Sequence, residues 1–229
     1  MYATLSLKKL MLVLVWPFGL IMLGFLGLRG VPTDGVGALR AIGTVVTIWS
    51  ITLVALFGFS GYWAPWRILW RLAPFLNHKA FPDLNGVWAG TTQSNWGPIS
   101  ALLAAAEGKG KLERTTLAAV PLKTDGITMT ITASLFAFRI RSELEATGAV
   151  SHSLTERVSQ DKRRGAYELY YVYRQETPEP ELSDDDSHLG AACLTIDLAQ
   201  NRLTGAYWTK RSWRSGLNTA GRLELTRRP

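Results

Sequence analysis

Two long apolar stretches near the amino terminus give way to short segments in which apolar and polar residues alternate, and the two patterns predict two kinds of structure. No side chain from residue 10 to residue 28 is charged, and Lys8, Lys9 and Arg29 bracket that stretch. As a helix it would be about 28 Å long, roughly the thickness of a hydrocarbon core. The second stretch, residues 41–66, lies between Arg40 and Arg67 and is long enough to tilt or to run into the interface. Trp63, Trp66 and Trp70 gather at its end, where amphipathic rings favour the headgroup layer. The pattern predicts a transmembrane helical hairpin with an interfacial exit segment over residues 1–80. Gly19, Gly24 and Gly27 give the first span a face that a second copy can approach closely. A cleaved signal peptide fits less well, because the run is long, no A-x-A pattern follows and a second span comes at once. The flanks carry Lys8 and Lys9 on one side and Arg67, Arg71 and Lys79 on the other, against Arg29, Arg40 and Asp34 in the loop. The basic excess places both termini in the cytoplasm and loop 30–39 outside.

Residues 81–229 read as one all-β domain. Pro82-Asp83-Leu84-Asn85-Gly86 is turn chemistry, and a first strand begins at residues 87–92. Residues 117–121 read as the next strand, with Lys123-Thr124-Asp125-Gly126 as the hairpin turn after it. Ile127, Met129 and Ile131 alternate with threonines, and the apolar set then changes parity to Phe136, Phe138 and Ile140. That change predicts a bulge or tight bend near residues 133–135. Further strands are predicted at 150–157, 167–173, 188–198, 203–210 and 221–227. Residues 100–107 are rich in Ala and Leu and read as a helical turn or an insertion. Residues 176–187 form a loop rich in Pro and acidic side chains. About eight short strands with turn signals between them predict a small antiparallel β-barrel.

Charge changes the picture only at the end of the chain. The single Cys193 excludes an intrachain disulfide and, in an apolar run, reads as a core residue. Residues 201–229 carry seven basic side chains and one acidic one, whereas residues 80–200 carry eleven basic and sixteen acidic. The carboxy-terminal excess has no topological explanation and marks the place to look for an anionic ligand. Tyr207, Trp208, Thr209, Arg211, Arg214, Asn218 and Arg222 fall there. Rings stack on bases, guanidinium groups pair with phosphates, and amide or hydroxyl groups reach base edges. The same residues on anionic lipid are the competing explanation. Arg139 joins the candidates if it faces the lumen and is ordinary surface if it faces water. No P-loop, G-x-S-x-G, H-E-x-x-H or paired-cysteine motif is present, so the sequence predicts neither an enzyme nor a metal site.

The whole layout resembles a known family, the two-transmembrane, β-strand-rich effectors of bacterial cyclic-oligonucleotide anti-phage signalling (CBASS, the SMODS-associating type). The resemblance rests on the helical hairpin, on Gly61-Tyr62-Trp63-Ala64-Pro65-Trp66, on Leu84-Asn85-Gly86-Val87-Trp88-Ala89-Gly90, on the strand 128–142, and on Gly205-Ala206-Tyr207-Trp208 and Gly221-Arg222-Leu223-Glu224-Leu225. Phe136 stands where a Trp is expected, and residues 100–106 look like an insertion. The resemblance implies a cytoplasmic barrel that binds a cyclic dinucleotide as activating ligand, made by a partner nucleotide synthase, with no other cofactor and no DNA partner. Binding would promote self-association, and the assembled hairpins would disrupt the inner membrane and kill the infected cell. Two rivals remain at this stage. One is a lipocalin-like sensor of an apolar molecule, lined by Phe136, Phe138, Ile140 and Leu169. The other is a membrane anchor that docks a protein partner.

Overall fold

The computed structural model describes residues 7–57, 65–109, 113–134, 137–161, 163, 165–178, 180 and 185–229. The chain divides into two compact units. The first runs up to Asp83 and includes residues 133–137; the second comprises residues 84–132 and 138–229.

In the first unit, two helices of 23 residues, α1 (Leu7–Arg29) and α2 (Gly35–Phe57), are each about 34 Å long. They pack against one another, and Ala41 and Val45 of α2 are buried. Leu20, Leu23, Ile42, Val46, Ile51 and Val54 are exposed, an apolar surface suited to lipid rather than water. The hydroxyls of Thr44, Thr47 and Thr52 donate to the carbonyls of Arg40, Gly43 and Ile48 at 2.8–2.9 Å, so these three polar groups are satisfied within the helix. Over Gly35–Ala55, α2 is long and apolar enough to cross a membrane. It starts six residues before the apolar run suggested. Asp34 precedes it, with its carboxylate 2.6 Å from where a Gly37 Cβ would lie, a placement that suits the positive end of a helix. The connecting loop is correspondingly shorter than 30–39.

Two short helices follow, α3 (Trp66–Leu72) and α4 (Leu76–Lys79). Trp66, Trp70 and Phe81 form an aromatic cluster with centroids 4.8–5.0 Å apart. Trp70 Nε1 donates to the Phe81 carbonyl at 2.8 Å, and Arg67 pairs with Asp83 at 2.9 Å. Trp66 and Trp70 are therefore buried in their own cluster rather than displayed as an interfacial belt. Trp63 lies outside the described residues.

The second unit is a closed antiparallel barrel in which each of eight strands pairs with its sequence neighbour and β1 pairs with β8. The strands are β1 (Gly86–Ser94), β2 (Lys123–Ala133), β3 (Phe138–Leu144), β4 (Val150–Asp161), β5 (Ala166–Glu176), β6 (Ser187–Asp197), β7 (Arg202–Thr209) and β8 (Ala220–Arg227). The eight-stranded barrel expected from the alternation is the observed fold. Strict period two carries it: Phe138, Ile140 and Ser142 of β3 are buried while Arg139 and Arg141 are exposed.

Two local expectations are corrected. Residues 117–121 are not a strand; α5 (Trp96–Ala106) and α6 (Arg114–Leu117) fill the β1–β2 connection, and a capping box at Glu113 and Thr116 starts α6. Asp125-Gly126 is not a hairpin turn but lies inside β2. Gly126 lies beside Glu145, whose flexible carboxylate end is 2.1 Å from where a Cβ would stand. The tight bend expected near residues 133–135 is the turn between β2 and β3, with Ser134 N–H donating to the Ala137 carbonyl at 2.7 Å. Leu135 and Phe136 lie outside the described residues. The bulge is in β4, where the register shifts between Ser153 and Thr155, and Ser153 Oγ accepts the Ile140 N–H at 2.8 Å.

One end of the barrel is packed solid. Trp88, Met129, Ile131, Leu169, Leu194 and Leu225 are almost wholly buried there. Trp88 Nε1 donates to the Leu84 carbonyl at 3.0 Å. Arg227 lies 5.5 Å above the Trp88 ring and hydrogen-bonds the Asn85 carbonyl. Cys193 is not in this core: Ala192 and Leu194 on either side of it face inward, so the thiol is half-buried on the outer wall opposite Tyr170, and partial burial pushes its pKa up.

Candidate functional site

The opposite end of the barrel is open, and its lining mixes apolar side chains such as Ile127, Leu144 and Leu223 with polar ones. The same strand parity that delivers apolar side chains to the packed end delivers Thr92, Ser142, Tyr171, Tyr173, His188 and Thr209 to this one. They line a cavity of about 930 Å3, the space at its mouth included. Its rim carries Lys123, Asp125, Trp96, Gln175, Tyr207 and Arg211.

Each part of the wall is fixed by a local contact. The Tyr171 and Tyr173 rings lie 5.7 Å apart, and burial pushes both phenols well above their ordinary range, so they are neutral hydrogen-bond donors at any physiological pH. Gly190 pairs with Tyr173 across β5 and β6, and a Cβ on Gly190 would fall 2.3 Å from Tyr173 Cζ. Gly190→Val is therefore expected to push the ring off its wall and to destabilise the barrel by about 1–3 kcal/mol, read as a lower denaturation midpoint. An unchanged midpoint would mean that the ring has another place to go. Thr209 and Thr219 hold the β7–β8 loop through a buried hydroxyl pair at 3.0 Å and a Thr209 N–H to Thr219 carbonyl bond at 2.8 Å. Asn95 accepts the Ala220 N–H at 2.9 Å, which fixes the start of α5 and so brings Trp96 to the rim. Arg211 stacks over that ring at 4.6 Å.

A second tie spans the loops. Asp185 accepts from the Ser212 N–H at 2.7 Å and from the Ser212 hydroxyl at 3.0 Å. These bonds, led by the backbone one, hold the Asp185 carboxyl below the usual carboxylate range. The tie is intact at neutral pH and is lost only as pH falls through that lowered value. Two hydroxyls in the wall, Ser142 Oγ and Thr177 Oγ1, are buried with no hydrogen-bond partner among the described residues. Such groups cost free energy unless something answers them.

The structure separates the residues singled out from the sequence. Tyr207, Thr209 and Arg211 meet at the cavity. Trp208 is exposed on the outer wall and lines a shallow depression there with Asn218 and Trp213. Arg214 is exposed, 5.7 Å above the Trp213 ring. Arg222 points outward from β8, on the far side of the wall from Leu223, and Arg139 points outward from β3. Those five residues do not converge with Arg211. Sequence reasoning missed Thr92, Lys123, Ser142, Tyr171, Tyr173 and His188. For the two tyrosines the signal was present, since they are in phase with the core residue Leu169. The hydroxyls and His188 carry no such mark, because only barrel closure brings them together.

A closed eight-stranded barrel, packed at one end and cupped at the other by hydroxyl, phenol and cationic groups, defines a small-ligand-binding barrel. Residues 107–227, more than half of the chain, match the family described as Cap15, cyclic dinucleotide receptor domain, and the chain belongs to that family. The CD-NTase-associated protein 15 of Escherichia albertii is 29% identical over 185 residues, covering 79% of this chain and 78% of that protein.

Proposed function

We propose that this protein is a membrane-anchored receptor and effector of anti-phage cyclic-oligonucleotide signalling, and that the open end of its barrel takes a cyclic dinucleotide. The convergence of Tyr171, Tyr173 and Tyr207 with Lys123 and Arg211 around one cavity carries this reading. Such a ligand has two bases to stack and two phosphodiesters to neutralise, and the site offers rings for the first and two cations for the second. Thr92, Thr209, His188 and the unanswered Ser142 Oγ supply polar contacts for sugar and base edges. Family membership supports the ligand class, and the relative's printed name supports a nucleotide synthase as functional partner. The protein acts as a receptor rather than an enzyme. The helices hold it in the inner membrane with both termini in the cytoplasm; ligand binding promotes self-association, and the assembled hairpins disrupt the bilayer.

The lining expected for an apolar ligand is not the lining observed. Phe138, Ile140 and Leu169 do face the lumen, but they are buried and do not line the cavity, whose apolar residues Ile127, Leu144, Ala149 and Leu223 stand among hydroxyls, phenols and charged groups.

The test is calorimetry on the full chain in nanodiscs against a panel of cyclic di- and trinucleotides at two salt concentrations. One member is expected to bind tightly, with affinity falling as salt rises because phosphate contacts are screened. A folded protein that binds no member, or binds with no salt dependence, would sink the reading.

A further inference from the structure

The Asp185–Ser212 tie holds a carboxylate next to Arg211 and His188, two residues of the cavity lining. Ser212 follows Arg211 directly and adopts a left-handed backbone, with φ of +37°. Its N–H and hydroxyl both aim at the Asp185 carboxylate, at 2.7 and 3.0 Å. Arg211 and His188, which line the cavity, attract the same carboxylate electrostatically. A peptide N–H, a hydroxyl, a guanidinium and an imidazole are the donors that a phosphodiester oxygen also seeks. A carboxylate and a phosphate compete for such a set on equal chemical terms.

We propose that Asp185 is an internal stand-in for a ligand phosphate: it holds the anion seat at Ser212 and Arg211, and a phosphodiester must displace it to bind. This inference rests on the cyclic dinucleotide reading and adds to it a residue that sets affinity and selectivity. Apparent affinity falls by the fraction of time that the seat is taken, so a seat nine-tenths occupied weakens binding about tenfold. A nucleotide that offers no phosphate at that position has nothing with which to displace the carboxylate. Displacement also separates the β5–β6 connection, which carries Asp185, from the β7–β8 connection, which carries Ser212. Occupancy is thereby transmitted to the outer surface of the mouth.

The test titrates the full chain in nanodiscs with the cyclic dinucleotide that the panel selects. D185A is expected to bind about three- to tenfold more tightly than the natural protein. D185N keeps an amide oxygen for the Ser212 donors, so it preserves the order of the loop while removing the charge, and it too is expected to tighten binding. D186N removes an equal charge one residue away, from a side chain that is exposed, and is expected to leave affinity within about twofold. The stand-in role is overturned if neither Asp185 variant tightens binding, or if D186N tightens it as much as D185A, which would make the effect one of general charge. If natural protein and variants alike bind no member, the receptor reading fails and takes the stand-in with it. Binding by the natural protein with unchanged affinity in both Asp185 variants sinks the stand-in alone.

Discussion

Replacing Arg211 by alanine is expected to weaken cyclic dinucleotide binding by about 10- to 100-fold, while Arg214→Ala and Arg222→Ala leave it within about twofold. The difference follows from placement. Arg211 is half-buried, stacked over Trp96 at 4.6 Å, and lines the cavity. A charge-assisted hydrogen bond to a phosphate in such a place contributes about 1.5–3 kcal/mol, and each 1.4 kcal/mol is tenfold in affinity. Arg214 and Arg222 are exposed outside the barrel wall, where screening leaves a charge little to contribute. Arg211→Lys keeps the charge but loses the planar stack and the fork of donors, so an intermediate loss is expected. Calorimetry at fixed salt decides the matter. A loss in Arg222→Ala with none in Arg211→Ala would move the ligand to the outer wall.

The largest effect on stability is expected from Trp88→Ala, at about 3–5 kcal/mol. The indole closes the packed end of the barrel, is almost wholly buried, bonds the Leu84 carbonyl and carries Arg227 above its face. Deleting it opens a cavity bordered by Met129, which pairs with it directly across β1 and β2. It also frees the lead-in at Asn85 that Arg227 holds. Trp88→Phe keeps most of the packing and loses the N–H bond, and should cost about 1–2 kcal/mol. Denaturation monitored by tyrosine fluorescence reads both variants. Equal midpoints for Trp88→Ala and the natural protein would mean that the end is closed by other contacts.

Alternation made most of the barrel legible before any coordinates. Ile127, Met129 and Ile131 announce β2, and Tyr167, Leu169, Tyr171 and Tyr173 announce β5, because a wall with one wet face imposes period two. The signals that misled were short and local. Asp125-Gly126 has the composition of a hairpin turn, but the pair lies inside β2 against Thr91 and Thr92 of β1, and no local rule reads a partner strand distant in the chain. The site was legible only in part for a related reason. The run from Tyr207 to Arg222 contains every chemistry a nucleotide needs, yet a strand cannot turn adjacent side chains to the same ligand. Tyr207 and Thr209 face in and Trp208 faces out. Applying the same period to the site that revealed the fold would have retained Tyr207 and Thr209 and moved Trp208 outside.

Closure of β1 onto β8 has a further consequence for how copies of this protein can meet. A sheet that ends in a bare strand offers its backbone to any passing strand, and such pairing is promiscuous and hard to reverse. Here every strand already has two partners. Assembly through the barrel cannot proceed by adding strand to strand and must be written in side chains, on the outer wall or on the loops. That makes the geometry of any assembly through the barrel specific to this sequence and open to abolition by single substitutions on the surface.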